Sequence, residues 1–165
     1  MDEVGAAMWM VLVAGAWAAD PTITVADDGS IVARIEIAAP ESSIRAAIPE
    51  LQKAGVNSNV LSVTARPEGA CTALDRTTRG LWRPLQLRTR FCPSSTGFSE
   101  RLVASEDFTR YEADWTLRPI TSGTTSVQLR VRSDVNLMVP SSLLQTGTMD
   151  GVRETLQALL RRLGR

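Results

Sequence analysis

The chain has 165 residues, 44% of them hydrophobic and 22% charged, with 18 bases balancing 18 acids, which is the profile of one ordinary globular domain. Lys53 is the single lysine and the other bases are arginines, but none gathers into a basic tract interleaved with aromatics, so a nucleic-acid partner is not expected. The chain contains no histidine, which removes Ser-His-Asp and Cys-His nucleophilic devices, the common zinc sites and the most frequent acid/base group near neutral pH.

Residues 4–19 form an apolar stretch too short for a comfortable membrane span. It ends in Ala16-Trp17-Ala18, the small-x-small form of a signal-peptidase site, although Asp2 and Glu3 are acidic where such a leader is usually positive. The expectation is that residues 1–19 form a signal peptide, with a retained N-terminal anchor or a buried helix as alternatives, and that residues 20–165 form a single domain. The protein would then be exported to the periplasm or secreted, or held at the membrane if the segment is kept.

Ile31-Val-Ala-Arg-Ile-Glu-Ile37 alternates apolar and polar residues, the signature of a half-buried strand. Pro40 to Ile48 suits a short helix with Glu41 in its first turn, where the helix dipole favours an acid. Pro49 predicts a break and a second short helix to Ala54, closed by Gly55. From Asn59 onward the pattern changes to strands and turns: Val60–Ala65, Ala73–Gly80, Pro84–Phe91, Phe98–Ala104, Phe108–Leu117 and Ser126–Val135. Short connections make sequential antiparallel pairing the economical topology.

A hairpin centred between Leu81 and Trp82 sets Cys71 opposite Cys92, within disulfide reach, and the same register sets Asp75 opposite Arg88 and Leu74 opposite Thr89. Two buried thiols remain the alternative. The turn Thr121-Ser-Gly-Thr124 pairs Trp115 with Leu129, Ala113 with Val131 and Tyr111 with Ser133. Tyr111, Ala113, Trp115 and Leu117 then share one face, while Glu112 and Asp114 meet Arg132 and Arg130 on the other.

A final helix is predicted from Ser142, whose spacing to Gln145 is that of a capping box. Leu144, Thr148, Val152, Leu156, Leu159, Leu160 and Leu163 fall on one side of it. Gly147 and Gly151 lie one turn apart in its first half, each costing about 1 kcal/mol of helix propensity relative to alanine. They leave room either for close packing on a strand or for a ligand.

The order of a strand, two short helices, six antiparallel strands and a long terminal helix resembles the START-like, or SRPBCC, superfamily, which includes Bet v 1-like, polyketide cyclase/dehydrase-like and Coq10-type proteins. The resemblance is carried by Ala38-Ala-Pro-Glu-Ser-Ser-Ile44, Tyr111 to Val127, Val139-Pro140 before Leu143-Leu144, and Leu156 to Leu163. It implies an α+β helix-grip fold: a curved antiparallel sheet of about seven strands crossed by the C-terminal helix. It also implies a cavity between sheet and helix that accepts lipids, quinones, sterols or aromatic polyketides. Fold-level likeness alone does not establish an activity.

The candidate lining follows from these registers and faces. Leu74, Leu87, Phe91, Trp115 and Leu129 supply apolar sheet surface, and Leu144, Gly147 and Gly151 supply the helix wall. Arg76, opposite Leu87, is a candidate anchor for a carboxylate, phosphate or polarised carbonyl unless it reaches the rim and stays hydrated. Tyr111 is a candidate hydrogen-bond partner for a ligand oxygen, or an ordinary packed ring. Trp82, at the hairpin tip, is expected to touch a membrane or guard the cavity mouth, or else to pack beneath the first helices. No phosphate loop, CxxC pair or GxSxG elbow is present, so no catalytic residue, metal or cofactor is expected. The reading is an exported monomeric carrier of a small hydrophobic or amphipathic molecule. Alternatives are a polyketide cyclase or dehydratase that uses Arg76 and Tyr111, and an envelope interaction module without a ligand.

Overall fold

The computed structural model describes residues 20–164; the expected leader, residues 1–19, lies outside the described residues. Ten elements follow one another. They are β1 (Thr22–Val25), β2 (Ile31–Ile37), α1 (Glu41–Ala54), β3 (Val60–Glu68), β4 (Cys71–Thr78), β5 (Leu85–Pro93), β6 (Gly97–Ala104), β7 (Phe108–Thr121), β8 (Thr124–Val135) and α2 (Ser141–Arg162). The strands form one curved antiparallel sheet of eight in the order β1-β2-β8-β7-β6-β5-β4-β3. Both helices lie on its concave face, with α2 touching α1, β2 and β8. This is the expected helix-grip architecture.

Period-two patterning explains the two faces of the sheet. Along β5, Leu85, Leu87, Thr89 and Phe91 are buried while Gln86, Arg88 and Arg90 are exposed. The outward arginines find exposed acidic partners, Arg88 with Asp75, Arg101 with Asp114 and Arg130 with Asp28. Each such pair contributes about 0–1 kcal/mol, so together they solvate the convex face more than they stabilise it. Both hairpin registers are as expected: Asp75 pairs with Arg88 and Leu74 with Thr89, and Trp115 pairs with Leu129 and Tyr111 with Ser133. Cys71 and Cys92 form a disulfide with their Cα atoms 4.3 Å apart.

Three local expectations are corrected. One helix, not two, follows the strand of Ile31–Ile37, because α1 continues through Pro49 to Ala54. Its buried residues Ile44, Ala47, Ile48 and Leu51 stand on both sides of the proline, so a continuous apolar face outweighs the lost backbone bond. Gly55 ends it in the left-handed conformation at φ 62, where a Cβ would also meet Val63 Cγ2 at 2.7 Å. The sheet has eight strands instead of about seven, because Thr22–Val25 pairs with Ile31–Arg34 at the edge. Finally, α2 begins at Ser141 behind Pro140 with no side-chain cap; the Pro140 carbonyl accepts from the backbone N–H groups of Leu143 and Leu144. The Ser142–Gln145 capping box therefore does not form.

The core is concentrated at one end of the concave face. Trp115, Leu74, Phe91 and Phe98 are buried there with Leu156 and Leu159 of α2, and the rings of Phe91 and Phe98 stack with centroids 5.0 Å apart. No described helix is long and apolar enough to cross a membrane.

Candidate functional site

At the other end of the concave face a cavity of about 520 Å³ opens between β4–β8, the end of α1 and the first half of α2. Small residues on the helix keep it open. From Ser141 to Asp150 no residue of α2 is fully buried, whereas Gly151, Val152, Thr155, Leu156 and Ala158 to Leu160 are. The two helical glycines do different work. A Cβ on Gly147 would meet nothing within 4 Å, so this residue borders open space; one on Gly151 would lie 3.2 Å from Asn59 Nδ2, so this residue serves close packing.

The expected lining residues divide between the two ends. Arg76, Leu87, Tyr111, Leu129, Leu144, Gly147 and Gly151 line the cavity. Leu74, Phe91 and Trp115 do not line it and belong to the packed core, which Leu129 shares. They share the face of their strands with the cavity residues but lie beyond its end.

The polar part of the cavity is a buried cluster. Arg76 is 6% exposed and Glu100, on β6, is 1% exposed. Arg76 Nη1 lies 2.5 Å from Glu100 Oε1, and Arg76 Nη2 donates to Gln52 Oε1 at 2.7 Å. Thr89 Oγ1 donates to the same Glu100 oxygen at 2.5 Å, and the guanidinium carbon lies 5.8 Å from the centre of the Tyr111 ring. Burial is the largest influence on Arg76 and works against its charge, but Glu100 and Tyr111 together outweigh it and hold the guanidinium pKa above its ordinary value. Burial pushes the Tyr111 hydroxyl up to about 12, with the charge of Glu100 adding to the effect and that of Arg76 opposing it. Arg76 is therefore a fixed cation and Tyr111 a neutral phenol near pH 7. Glu100 Oε2 is buried without a hydrogen-bond partner among the described residues.

Glu100 was not identified as a candidate from the sequence. Its signal is the alternation Phe98-Ser-Glu-Arg-Leu102, which puts Glu100 on the same strand face as Phe98. Its partner became visible only once β6 was registered against β5, with Phe91 opposite Glu100.

The mouth of the cavity is apolar and exposed. Leu81, Trp82 and Leu143 line the cavity and remain largely exposed, Trp82 at 79%. Trp82 thus stands at the mouth and not beneath α1. The loop that carries it is tied down by Asp107, a buried acid that accepts from Arg83 Nη2 at 2.5 Å and from the Gln86 backbone N–H at 2.8 Å. The Arg83 hydrogen bond, followed by that of Gln86, holds the Asp107 carboxyl below its ordinary value. On the opposite wall, Asn59 Nδ2 donates to the Gly147 carbonyl at 3.0 Å. Ser58 donates through its backbone N–H and its hydroxyl to the Glu154 carboxylate. The loop between α1 and β3 therefore clamps the middle of α2 and leaves its first turn free of such ties. Among the described residues no group of three or more His, Cys, Asp or Glu side chains is placed to hold a metal ion.

No family model and no curated protein matches the chain. Solved structures do match. A START superfamily protein from Mycobacterium smegmatis aligns with TM-score 0.64 and 16% identity over 81% of this chain and 98% of its own. A STAR-related lipid transfer protein fragment from Xanthomonas axonopodis aligns with TM-score 0.65 and 12% identity over 89% of this chain and 100% of its own. The Zhui aromatase/cyclase from Streptomyces sp. R1128 aligns with TM-score 0.56 and 16% identity over 81% and 84%. At these identities the likeness is one of fold, and the fold is START-like.

Proposed function

From the premise of a START-like fold, we propose that the protein is an exported, monomeric carrier that holds one small hydrophobic or amphipathic molecule between its sheet and the first half of α2. The observation that carries this reading is the cavity of about 520 Å³, inside the range of roughly 300–1,000 Å³ typical of small-molecule sites. Its walls are mostly apolar, and the buried Arg76–Glu100 cluster offers polar groups to orient an amphipathic guest. The Cys71–Cys92 disulfide is compatible with an oxidising compartment. Leu81, Trp82 and Leu143, exposed at the mouth, with Arg79 and Arg83 on the same loop, suit transient contact with a lipid surface during loading.

A cyclase reading draws support from the aromatase/cyclase among the structural neighbours. Two features weigh against it. Arg76 is already engaged by Glu100 and Gln52, and a phenol with a pKa of about 12 does not give up its proton readily near neutrality.

Native mass spectrometry of the protein purified from its own host tests the carrier reading. The expected result is a co-purified apolar molecule released on denaturation. Recovery of bare protein only, with no lipid extract raising its melting temperature, would overturn the reading.

A further inference from the structure

The dimensions of the cavity limit the apolar part of its guest, on the premise that the carrier reading holds. Toward the packed end of the sheet the space of about 520 Å³ stops at the core, where Leu74, Phe91 and Trp115 are buried with Leu156 and Leu159. Close packing of that kind does not yield without cost. Along α2 the space stops at Leu144 and Thr148, which also line a second hollow of about 180 Å³. Asp28, Arg132 and Asp134 border that hollow. It is a poor host for a hydrocarbon, because a chain entering it would strip water from charged side chains. A methylene group fills about the volume that a water molecule takes in the liquid, roughly 30 Å³, so the main space holds about seventeen of them. Two chains of that length need twice the room.

We infer that the cavity takes a single-chain lipid, with one unbranched hydrocarbon chain of up to about seventeen carbons, and rejects lipids with two chains. Leu144 is the residue that sets the limit, since its side chain stands between the apolar space and the polar hollow. Each methylene added within the limit leaves water for the apolar walls, which is worth about fourfold in affinity. Carbons beyond the limit stay at the mouth, beside the exposed Leu81, Trp82 and Leu143, and add little.

The test is a series of monoacylglycerols, from octanoyl to docosanoyl, supplied from cyclodextrin and displacing Nile red from the protein. The expected result is an affinity that rises about fourfold per methylene and levels off near the hexadecanoyl and octadecanoyl members. Dipalmitoylglycerol should be extracted from phosphatidylcholine vesicles at least about tenfold less than monopalmitoylglycerol, because its second chain would leave the bilayer for water. Leu144→Ala should move the levelling-off to chains about three carbons longer. Gly147→Leu, whose new side chain enters open space, should move it to chains about four carbons shorter. Both positions lie in the half of α2 that is not packed, so folding is kept. A merely structural role for Leu144 would leave the levelling-off where it is, and that result would overturn its assignment as the limit. Affinity that climbs without a break to docosanoyl, or equal extraction of the one-chain and two-chain glycerides, would overturn the inference. Binding of Nile red with no monoacylglycerol bound would overturn it and leave the carrier reading standing. Binding of neither would remove both.

Discussion

The two ends of the concave face are built from the same strands and covered by the same helix, yet one is packed and the other hollow. At the packed end, Leu156 and Leu159 of α2 meet Trp115, Phe91, Phe98 and Leu74, and the Cys71–Cys92 bridge closes the adjoining end of the β4–β5 hairpin. At the hollow end the same hairpin opens into the Trp82 loop, and α2 presents Gly147 and Thr148 where leucines would have filled the space. Side-chain size along α2, together with the course of that helix across the sheet, thus separates the part that holds the fold from the part left open.

The sharpest way to break this division is to cut into the packed end. Trp115→Ala should destabilise the protein by about 3–5 kcal/mol, read as a lower urea midpoint; a loss below about 1 kcal/mol would mean that this end does not carry the fold. Removing the bridge with Cys71→Ser and Cys92→Ser should cost about 3 kcal/mol while dye affinity at the far mouth stays the same. An affinity that falls with the bridge would show that the two ends are coupled.

Asp107→Asn addresses the hollow end and should cost about 1–2 kcal/mol by weakening the ties to Arg83 and Gln86. The folded carboxyl has a lowered pKa. Its contribution is therefore present above the ordinary value of 3.8 and is lost as pH falls through the lower folded value. Stability measured against pH below 4 should accordingly fall more steeply in the unaltered protein than in the variant; parallel curves would remove Asp107 from the account. The smallest effect separates the two glycines. Gly147→Ala should stabilise by about 1 kcal/mol, because its new methyl meets open space and alanine favours helix. Gly151→Ala should gain less or nothing, since its methyl would press on Asn59 at 3.2 Å. Melting temperatures that rise equally would show that the two positions are alike.

The sequence made the hairpin registers readable because each one satisfied charge pairing and an apolar face together, as with Asp75–Arg88 beside Leu74–Thr89, and the β4–β5 register met the cysteine geometry as well. It was less informative where a single local rule met a tertiary one. Pro49 signalled a break that the buried face of α1 overrode. The four-residue β1, Thr-Ile-Thr-Val, alternates polar and apolar residues but is short and largely exposed, so its pairing with β2 is what identifies it. Within the site, Arg76 and Tyr111 could be placed from strand faces, and so could Leu74, Phe91 and Trp115. Where along that face packing ends and space begins depends on the course of α2 across the sheet, which no strand pattern encodes. Glu100 and the Asn59 clamp were hidden for the same reason, since each meets its partner across elements whose separation local periodicity does not specify.

The central claim is that the space bordered by Gly147 receives the guest. Gly147→Leu places a large side chain into that space while keeping a good helix former, so the decisive measurement is the affinity of a neutral apolar dye for this variant beside its melting temperature. The account predicts a loss of affinity of at least about tenfold, equivalent to about 1.4 kcal/mol, with the melting temperature held or raised. Unchanged affinity in a folded variant would contradict it.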